Sequence, residues 1–132
     1  MMDTTLAFAR IFYDGFLDRY PNLKLISPHA GGTLPYVMSR LDRCFEIIPA
    51  CREDTETPPG EQARRVWYDA QTYSAAPMRM CIEIAGADRV MFGSDFPHNI
   101  GDTEGFLANI DTLPPEQARQ VRHETAEALF GL

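Results

Sequence analysis

The sequence predicts an α/β fold in which three short parallel strands alternate with helices. Three apolar segments rich in β-branched and aromatic residues, at about residues 23–27, 66–70 and 89–93, have the length and composition of strands. A segment with apolar residues at helical spacing follows each of them. Strands that alternate with helices run parallel through right-handed crossovers, and short apolar strands are typical of a sheet covered on both faces.

The first predicted element is a helix, because apolar residues recur every three or four positions over residues 6–20. Asp3 or Thr4 is a suitable N-cap, and Pro21 ends the helix. Gly15 lies inside this helix, where a glycine costs about 1 kcal/mol relative to Ala. We therefore expect Gly15 to pack closely against a neighbouring element.

The first strand, residues 23–27, leads directly into the sequence PHAGG at residues 28–32. A second helix follows, and one apolar face of it carries Leu34, Val37, Met38, Leu41, Phe45 and Ile48. Residues 49–60 contain three Pro, one Gly and four charged side chains, which predicts a surface loop rather than a domain boundary.

The second strand, residues 66–70, precedes a third helix that Pro77 opens and Gly86 ends. The third strand, residues 89–93, runs into the sequence GSDFPH at residues 93–98.

Two helices complete the chain. Asp102 caps a short one, and the last helix begins at residues 113–116. We expect the last helix to bury Ala118, Val121, Ala126, Leu129 and Phe130.

Length and charge limit the classes of protein to consider. A chain of 132 residues predicts a single domain, residues 1–132. Its 12 Lys and Arg against 19 Asp and Glu give a formal net charge of −7, which argues against nucleic acid or an anionic membrane as a partner. No apolar segment approaches the roughly 20 residues of a membrane span, and the N-terminus does not resemble a signal peptide. We therefore expect a cytoplasmic protein.

Two groups of polar residues follow predicted strands, at the edge where parallel α/β sheets bind their ligands. In the first group, His29 follows the first strand, and Gly31 and Gly32 permit unusual dihedral angles and close backbone approach. An imidazole at this edge can act as a general base, a general acid or a metal ligand. The alternative is a structural His that only hydrogen-bonds a neighbouring loop.

In the second group, Asp95 follows the third strand. A carboxylate buried near a strand end needs a cation or hydrogen-bond donors, and a divalent metal would supply the cation. The alternative for Asp95 is a loop or helix cap. His98 is either a supporting partner or an exposed loop residue. Asp69, at the end of the middle strand, either holds a site residue in place or accepts hydrogen bonds from backbone N–H groups.

The remaining polar and aromatic residues are weaker candidates. Arg40 or Arg43 on the second helix could reach a substrate carboxylate, although a solvated charge is the usual role of such residues. Trp67 and Tyr68 are interpreted as core residues and His123 as a surface residue. The three Cys residues form no CxxC pair and are interpreted as small apolar side chains rather than nucleophiles.

Three pieces in this order resemble the C-terminal part of the amidohydrolase superfamily: the strand with HAGG and LPY, the segment DRVMFGSDFPH, and the terminal ALFGL. More narrowly, they are similar to the branch that contains aminocarboxymuconate-semialdehyde decarboxylase and γ-resorcylate decarboxylase. The resemblance covers Thr4–Leu132, and GSDFPH after DRV is its most diagnostic part.

The resemblance implies a (β/α)8 barrel with one divalent metal ion, usually Zn²⁺, at the strand ends. Asp95 then matches the metal-binding, proton-handling Asp after strand eight, and His29 matches the His after strand six. The implied protein is a hydrolase or a non-oxidative decarboxylase that acts on a small carboxylated or cyclic substrate. Candidate residues for binding the substrate or supporting the site are Gly31, Gly32, Arg40, Asp69 and His98.

The chain departs from the family pattern in its metal ligands. Family members carry His-x-His or Glu-x-His after strand one and another His after strand five, whereas this chain has only His29, His98 and His123. We therefore predict a truncated barrel, units six to eight with the preceding helix, that alone binds metal weakly or not at all and turns over negligibly. The alternative is a non-catalytic α/β binding or assembly module whose exposed sheet edges pair with another chain, including a second copy.

Overall fold

The computed structural model describes all residues from Met1 to Leu132. Its strands are β1 (Ile26–Ser27), β2 (Trp67–Asp69) and β3 (Val90–Met91). The helices, in chain order, are α1 (Met2–Tyr13), α2 (Phe16–Arg19), α3 (Leu34–Ile47), α4 (Pro59–Ala63), α5 (Ala75–Ala85), α6 (Thr103–Ile110), α7 (Pro115–Arg119) and α8 (Thr125–Phe130). Short 3₁₀ turns occupy His29–Gly31, Pro49–Arg52 and Ala87–Arg89, and a π-helical turn, Gln120–Glu124, joins α7 to α8.

The three strands form one parallel sheet in the order β1-β2-β3. This confirms the three strands and their direction, although each is shorter than the sequence predicts. The register aligns Ile26 with Trp67 and Ser27 with Tyr68. Because all three strands run the same way, their carboxyl ends meet at one edge of the sheet, where the His29 and Asp95 segments begin.

The two faces of the sheet differ in how fully they are covered. Ser27 and Tyr68 share one face through the register, and both are completely buried. That face and the helices packed on it form a core of 18 buried residues. On the opposite face Ile26 is 44% exposed, and Trp67 is half-buried against Arg89, whose guanidinium lies 4.9 Å from the ring centre. The expected cover on both faces is therefore present on only one of them at β1.

The prediction for the first helix is wrong in two respects: the structure has two helices in place of one, and neither Asp3 nor Thr4 is the N-cap. α1 ends at Tyr13, and Gly15 takes a left-handed conformation (φ 64°) before α2 begins. A Cβ on Gly15 would lie 2.1 Å from the carbonyl oxygen of Asp54, so the close packing expected at this glycine is present. Met1 is the N-cap of α1, and no side chain caps it.

The segment predicted as a loop, residues 49–60, contains a 3₁₀ turn and the start of α4. The completely buried side chain of Gln62 in α4 fixes it to the core. Gln62 Nε2 donates to the carbonyl oxygens of Phe12 at 2.8 Å and Thr57 at 2.7 Å. Pro at N1 of α4 is compatible with a helix start, but it also resembles a turn signal in the sequence.

Two further boundaries agree with the sequence. Gly86 is the C-cap of α5 and adopts φ 99°, although α5 begins at Ala75 rather than at Pro77 as the sequence predicts. Asp102 caps α6, because its Oδ1 accepts a hydrogen bond from the N–H of Gly105 at 2.9 Å.

The end of the chain is less regular than one helix. Val121 and Leu129 are buried as expected, whereas Phe130 is 59% exposed, so its predicted burial is wrong. In the π-helical turn the carbonyl oxygen of Val121 accepts a hydrogen bond from the N–H of Phe92 at 2.7 Å. The π-helical turn thus covers part of the β3 edge, which is one of the two edges that the predicted sheet would otherwise leave exposed. None of the helices combines the length and apolar character that crossing a bilayer requires.

Candidate active site

The turn after β1 holds His29 in a strained backbone conformation. His29 (φ 58°), Ala30 (φ 49°), Gly31 (φ 79°) and Gly32 (φ 68°) all have positive φ angles. Non-glycine residues in this region cost of order 1–3 kcal/mol each and cluster at functional sites. His29 is half-buried, and its Nδ1 is buried without any hydrogen-bond partner in the chain.

The two glycines of this turn lie against other parts of the chain. A Cβ on Gly31 would lie 3.1 Å from the ring of Tyr68, and one on Gly32 would lie 2.6 Å from the carbonyl oxygen of Met1. Both also have positive φ, so the turn requires glycine for conformation as well as space.

Asp69, at the end of β2, fixes this turn to the sheet. Its Oδ1 accepts hydrogen bonds from the N–H of Ala30 at 3.2 Å and of Gln71 at 3.1 Å. Asp69 therefore has both of the roles that the sequence suggests. It accepts hydrogen bonds from backbone N–H groups, and because the N–H of Ala30 belongs to the turn that carries His29, it also holds that turn in place. Burial raises the pKa of the Asp69 carboxyl, while the two N–H donors and the nearby His29 act in the opposite direction.

Asp69 also lies beside the segment that leads to Asp95. A Cβ on Gly93 would be 3.2 Å from the Cβ of Asp69, so the chain passes this point closely because Gly93 has no side chain. The His29 turn, Asp69 and the residues after β3 therefore form one contiguous region at the carboxyl edge of the sheet.

The loop after β3, residues 94–101, which we call the Asp95 loop, is folded back on itself. Asp95 has a φ angle of 59°, and its carbonyl oxygen accepts a hydrogen bond from the N–H of His98 at 2.8 Å. The N–H of Gly101 in turn donates to the carbonyl oxygen of His98 at 2.9 Å. The side chain of Asp95 is half-buried, whereas that of His98 is exposed.

The remaining candidates lie outside this region or on the surface. Arg40 and Arg43 are exposed on α3, and Arg43 pairs with Glu46 at 2.7 Å. His123 is exposed and lies 3.0 Å from a carboxylate oxygen of Glu127. No hydrogen bond or ion pair connects any of these residues to Asp69.

The residues present fit part of a metal site. The unpartnered Nδ1 of His29 and the carboxylate of Asp95 are ligand types that divalent metals accept. No three His, Cys, Asp or Glu side chains of the 132 residues lie close enough together to hold a metal ion. The chain therefore offers two candidate ligands at this edge rather than a complete set.

Tyr73 is a residue of this region that the sequence did not indicate. Its hydroxyl donates a hydrogen bond to the carbonyl oxygen of Ile100, in the Asp95 loop, at 2.6 Å. No motif singles it out, because an exposed tyrosine after a strand is ordinary in any loop. Only the folded structure shows that it meets the segment after β3.

Comparison with known proteins matches the chain to one family along its whole length. A family model described as Amidohydrolase matches residues 1–132. The chain is 33% identical to 6-methylsalicylic acid decarboxylase of Penicillium expansum, over 97% of this chain and 41% of that protein. It is 27% identical to 2-amino-3-carboxymuconate-6-semialdehyde decarboxylase of Dictyostelium discoideum, over 76% of this chain and 28% of that protein.

A solved structure confirms the fold. The crystal structure of dihydroxybenzoic acid decarboxylase from Polaromonas sp. JS666, with bound manganese and the inhibitor 2-nitroresorcinol, matches with a TM-score of 0.83 at 22% identity. The match covers 97% of this chain and 40% of that one. The predicted fold class, an α/β portion of a (β/α)8 barrel, is thus confirmed. The chain spans less than half the length of each of these relatives.

Proposed function

Because the chain belongs to the amidohydrolase family, we propose that it supplies part of the active site of a metal-dependent, non-oxidative decarboxylase. The substrate class is a small carboxylated molecule. One structural observation carries the proposal: the unpartnered Nδ1 of His29 and the half-buried Asp95 both follow strands at the carboxyl edge of the sheet. Decarboxylation is favoured over hydrolysis because the Penicillium and Dictyostelium relatives are both decarboxylases by name.

Asp95 is the residue that would hold the metal, whereas His29 would act on the substrate. A divalent cation held there would supply positive charge to orient a substrate carboxylate and to stabilise developing negative charge. The resemblance favours Zn²⁺, and the Polaromonas structure contains manganese. The carboxylate oxygens of Asp95 are a donor type that accepts either ion.

The reaction also needs a proton. Replacing a carboxylate by hydrogen breaks one C–C bond, releases CO₂, leaves the electron pair on the substrate carbon, and adds one proton to that carbon. An acid held within hydrogen-bond reach of the carbon can deliver it. In this chain the carboxyl of Asp95 and Nδ1 of His29 are the groups available for that transfer, and Asp69 holds the His29 turn in place.

The proposal includes the position of the chain within the barrel. The order of the motifs supports units six to eight with the preceding helix. We propose that the enzyme is cytoplasmic and that its other metal ligands lie on the remaining units. A complete barrel of this type has about 250 residues. For the isolated chain we therefore expect weak metal binding and negligible turnover.

Selective broadening of NMR signals by Mn²⁺ tests the metal site in the isolated chain. Paramagnetic Mn²⁺ broadens the amide signals nearest to it first, so it reports a weak site as well as a strong one. We expect the signals of His29 and Asp95 to broaden at the lowest Mn²⁺ concentrations, and Asp95→Asn to abolish this selectivity. His123→Asn is the matched control, since His123 and Glu127 form an unrelated His–carboxylate pair. Broadening centred on His123, with the amide of Asp95 unaffected, would refute the proposed site.

A second candidate function has one observation in its favour. β1 is an edge strand, and Ile26 on it is 44% exposed, which leaves an apolar edge open to another chain. A non-catalytic module that assembles through this edge would form a defined dimer with a cooperative melting transition. Light scattering coupled to size-exclusion chromatography, followed by calorimetry, separates this candidate from an incomplete barrel, for which we expect no defined dimer.

A further inference from the structure

The Asp95 loop owes its shape to contacts within itself and to one contact from outside. Inside the loop, the N–H groups of His98 and Gly101 donate to carbonyl oxygens of the same loop at 2.8 and 2.9 Å. A Cβ on Gly101 would lie 2.8 Å from the carbonyl oxygen of Ser94, so the two ends of the loop touch. A constraint on either end is therefore transmitted to Asp95, which lies next to Ser94.

Tyr73 supplies the outside contact. Its hydroxyl donates to the carbonyl oxygen of Ile100, which immediately precedes Gly101, at 2.6 Å. Its ring packs edge-on against Phe106 of α6, with ring centres 5.1 Å apart and planes inclined by 61°. Phe106 is 1% exposed, so Tyr73 rests on a fixed part of the core although its own side chain is 61% exposed.

The backbone beside Tyr73 is anchored as well. Asn109 Nδ2, on α6, donates to the carbonyl oxygen of Thr72 at 2.9 Å. Desolvation of the hydroxyl, followed by the negative charges of Asp95 and Asp102, raises the pKa of Tyr73. The hydroxyl thus stays protonated and remains a donor across the neutral pH range.

From these contacts we infer that Tyr73 is a positioning residue for Asp95. It connects the segment after β2 to the end of the Asp95 loop, and it thereby restricts the positions available to the Asp95 carboxylate. The inference rests on the proposed function for its consequence in catalysis, but the restriction itself is a property of the folded chain. Tyr73 does not need to touch substrate or metal to act in this way.

Tyr73→Phe tests the inference, because it removes the hydroxyl and keeps the ring that packs on Phe106. Tyr36→Phe is the matched control, since the ring of Tyr36 is 78% exposed on α3, away from the loop. Two quantities are measured on the 132-residue chain: amide exchange of His98 and Gly101 with solvent in the absence of metal, and the Mn²⁺ concentration that half-broadens the Asp95 signal. The melting temperature is recorded for both variants.

Loss of one hydrogen bond should speed the exchange of His98 and Gly101 about fivefold in Tyr73→Phe. The Mn²⁺ concentration at half-broadening should rise by up to about fivefold, while Tyr36→Phe changes neither quantity. A loss of overall stability alone would instead lower the melting temperature and speed the exchange of core amides as much as that of His98 and Gly101. Exchange at His98 and Gly101 identical to that of the original chain would overturn the inference.

The two proposals fail separately. If Mn²⁺ does not select Asp95 in the original chain, the proposed metal site fails, and amide exchange still decides the role of Tyr73. If Mn²⁺ selects Asp95 equally well in Tyr73→Phe and in the original chain, the metal site stands and Tyr73 does not position its ligand.

Discussion

At the scale of single residues, Asp69 connects the parts of the candidate site. Its carboxylate accepts the N–H of Ala30 in the His29 turn, and its Cβ lies beside Gly93. A buried carboxylate is costly unless donors satisfy it, and here backbone N–H groups do so. Asp69 is therefore a point at which stability and site geometry depend on the same atoms.

Two substitutions at Asp69 separate its hydrogen bonds from its charge. Asp69→Ala leaves the N–H groups of Ala30 and Gln71 without their acceptor, so we expect a loss of about 1–3 kcal/mol in the free energy of unfolding. Asp69→Asn keeps an oxygen acceptor and removes the buried charge, so we expect stability at neutral pH to be retained. Urea denaturation followed by circular dichroism measures both. Equal losses for the two variants would contradict this account of the hydrogen bonds.

The raised pKa of Asp69 gives a direction for the pH dependence. The folded chain holds this proton more tightly than the unfolded chain, whose carboxyl titrates near its ordinary value of 3.8. The contribution of Asp69 to stability is therefore greatest at low pH and falls as pH rises from about 3.8 through the raised pKa. In Asp69→Asn this fall should disappear. A steeper fall in the variant would contradict the assignment.

The sequence predicts individual site residues only where their position in the chain is informative. His29 and Asp95 directly follow apolar strands, and the carboxyl edge of a parallel sheet is where ligands bind. The left-handed backbone of His29 and the hydroxyl contact of Tyr73 depend on residues distant in the chain. Neither leaves a local pattern in the sequence.

At the scale of elements, Gly15 decides where the first helix ends. Helical spacing continues past it, so periodicity predicts one helix where the structure has two. The break arises from the carbonyl oxygen of Asp54, which occupies the space of a side chain at Gly15. This contact lies about forty positions along the chain, beyond the reach of any helix propensity.

Gly15→Ala tests the contact at the break between α1 and α2. A Cβ there combines a φ angle of 64° with a clash at 2.1 Å, so we expect a loss of more than 1 kcal/mol, roughly the cost of the dihedral alone. Gly131→Ala is the control, because Gly131 has a similar φ of 72° with nothing within 4 Å. Thermal unfolding compares the two. A loss at Gly15 no larger than that at Gly131 would show that the clash is relieved.

The cap of α6 offers a test of an element that the sequence predicted correctly. Asp102→Ala removes the acceptor for the N–H of Gly105, and we expect a loss of about 1 kcal/mol. Asp102→Asn preserves an acceptor and should lose only a few tenths of that. Chemical denaturation measures both values. Because the Ala variant removes the acceptor for the N–H of Gly105, it should also speed amide exchange at Gly105 and its neighbours, and the effect should be confined to them.

The final helical segment shows a limit of sequence periodicity. Apolar spacing predicts one helix from residue 113, but the structure places a π-helical turn between α7 and α8. In the turn, the carbonyl oxygen of Val121 accepts a hydrogen bond from the N–H of Phe92, the residue that follows β3. Because this hydrogen bond joins residues that are distant in the chain, the local apolar spacing predicts the helix but cannot predict its interruption.

At the scale of the whole molecule, one face of the sheet is well packed and the other is open at β1. The 18-residue core covers the side of the sheet that bears Tyr68, whereas Ile26 on the other side is 44% exposed. In a (β/α)8 barrel that second side is the packed interior, filled by side chains from all the strands. The asymmetry fits the proposal that the chain is part of a larger barrel and that its site is completed by further strands.

The most direct test of the central claim is decarboxylation by a barrel that contains this chain. The chain replaces the matching 40% of the Polaromonas dihydroxybenzoic acid decarboxylase, and CO₂ release from dihydroxybenzoic acid is measured with added Mn²⁺. We predict metal-dependent release that falls by about 10²-fold or more in Asp95→Asn and His29→Asn, and remains unchanged in His123→Asn. A folded, Mn²⁺-binding chimera whose CO₂ release is the same with Asp95→Asn as without it would contradict the claim.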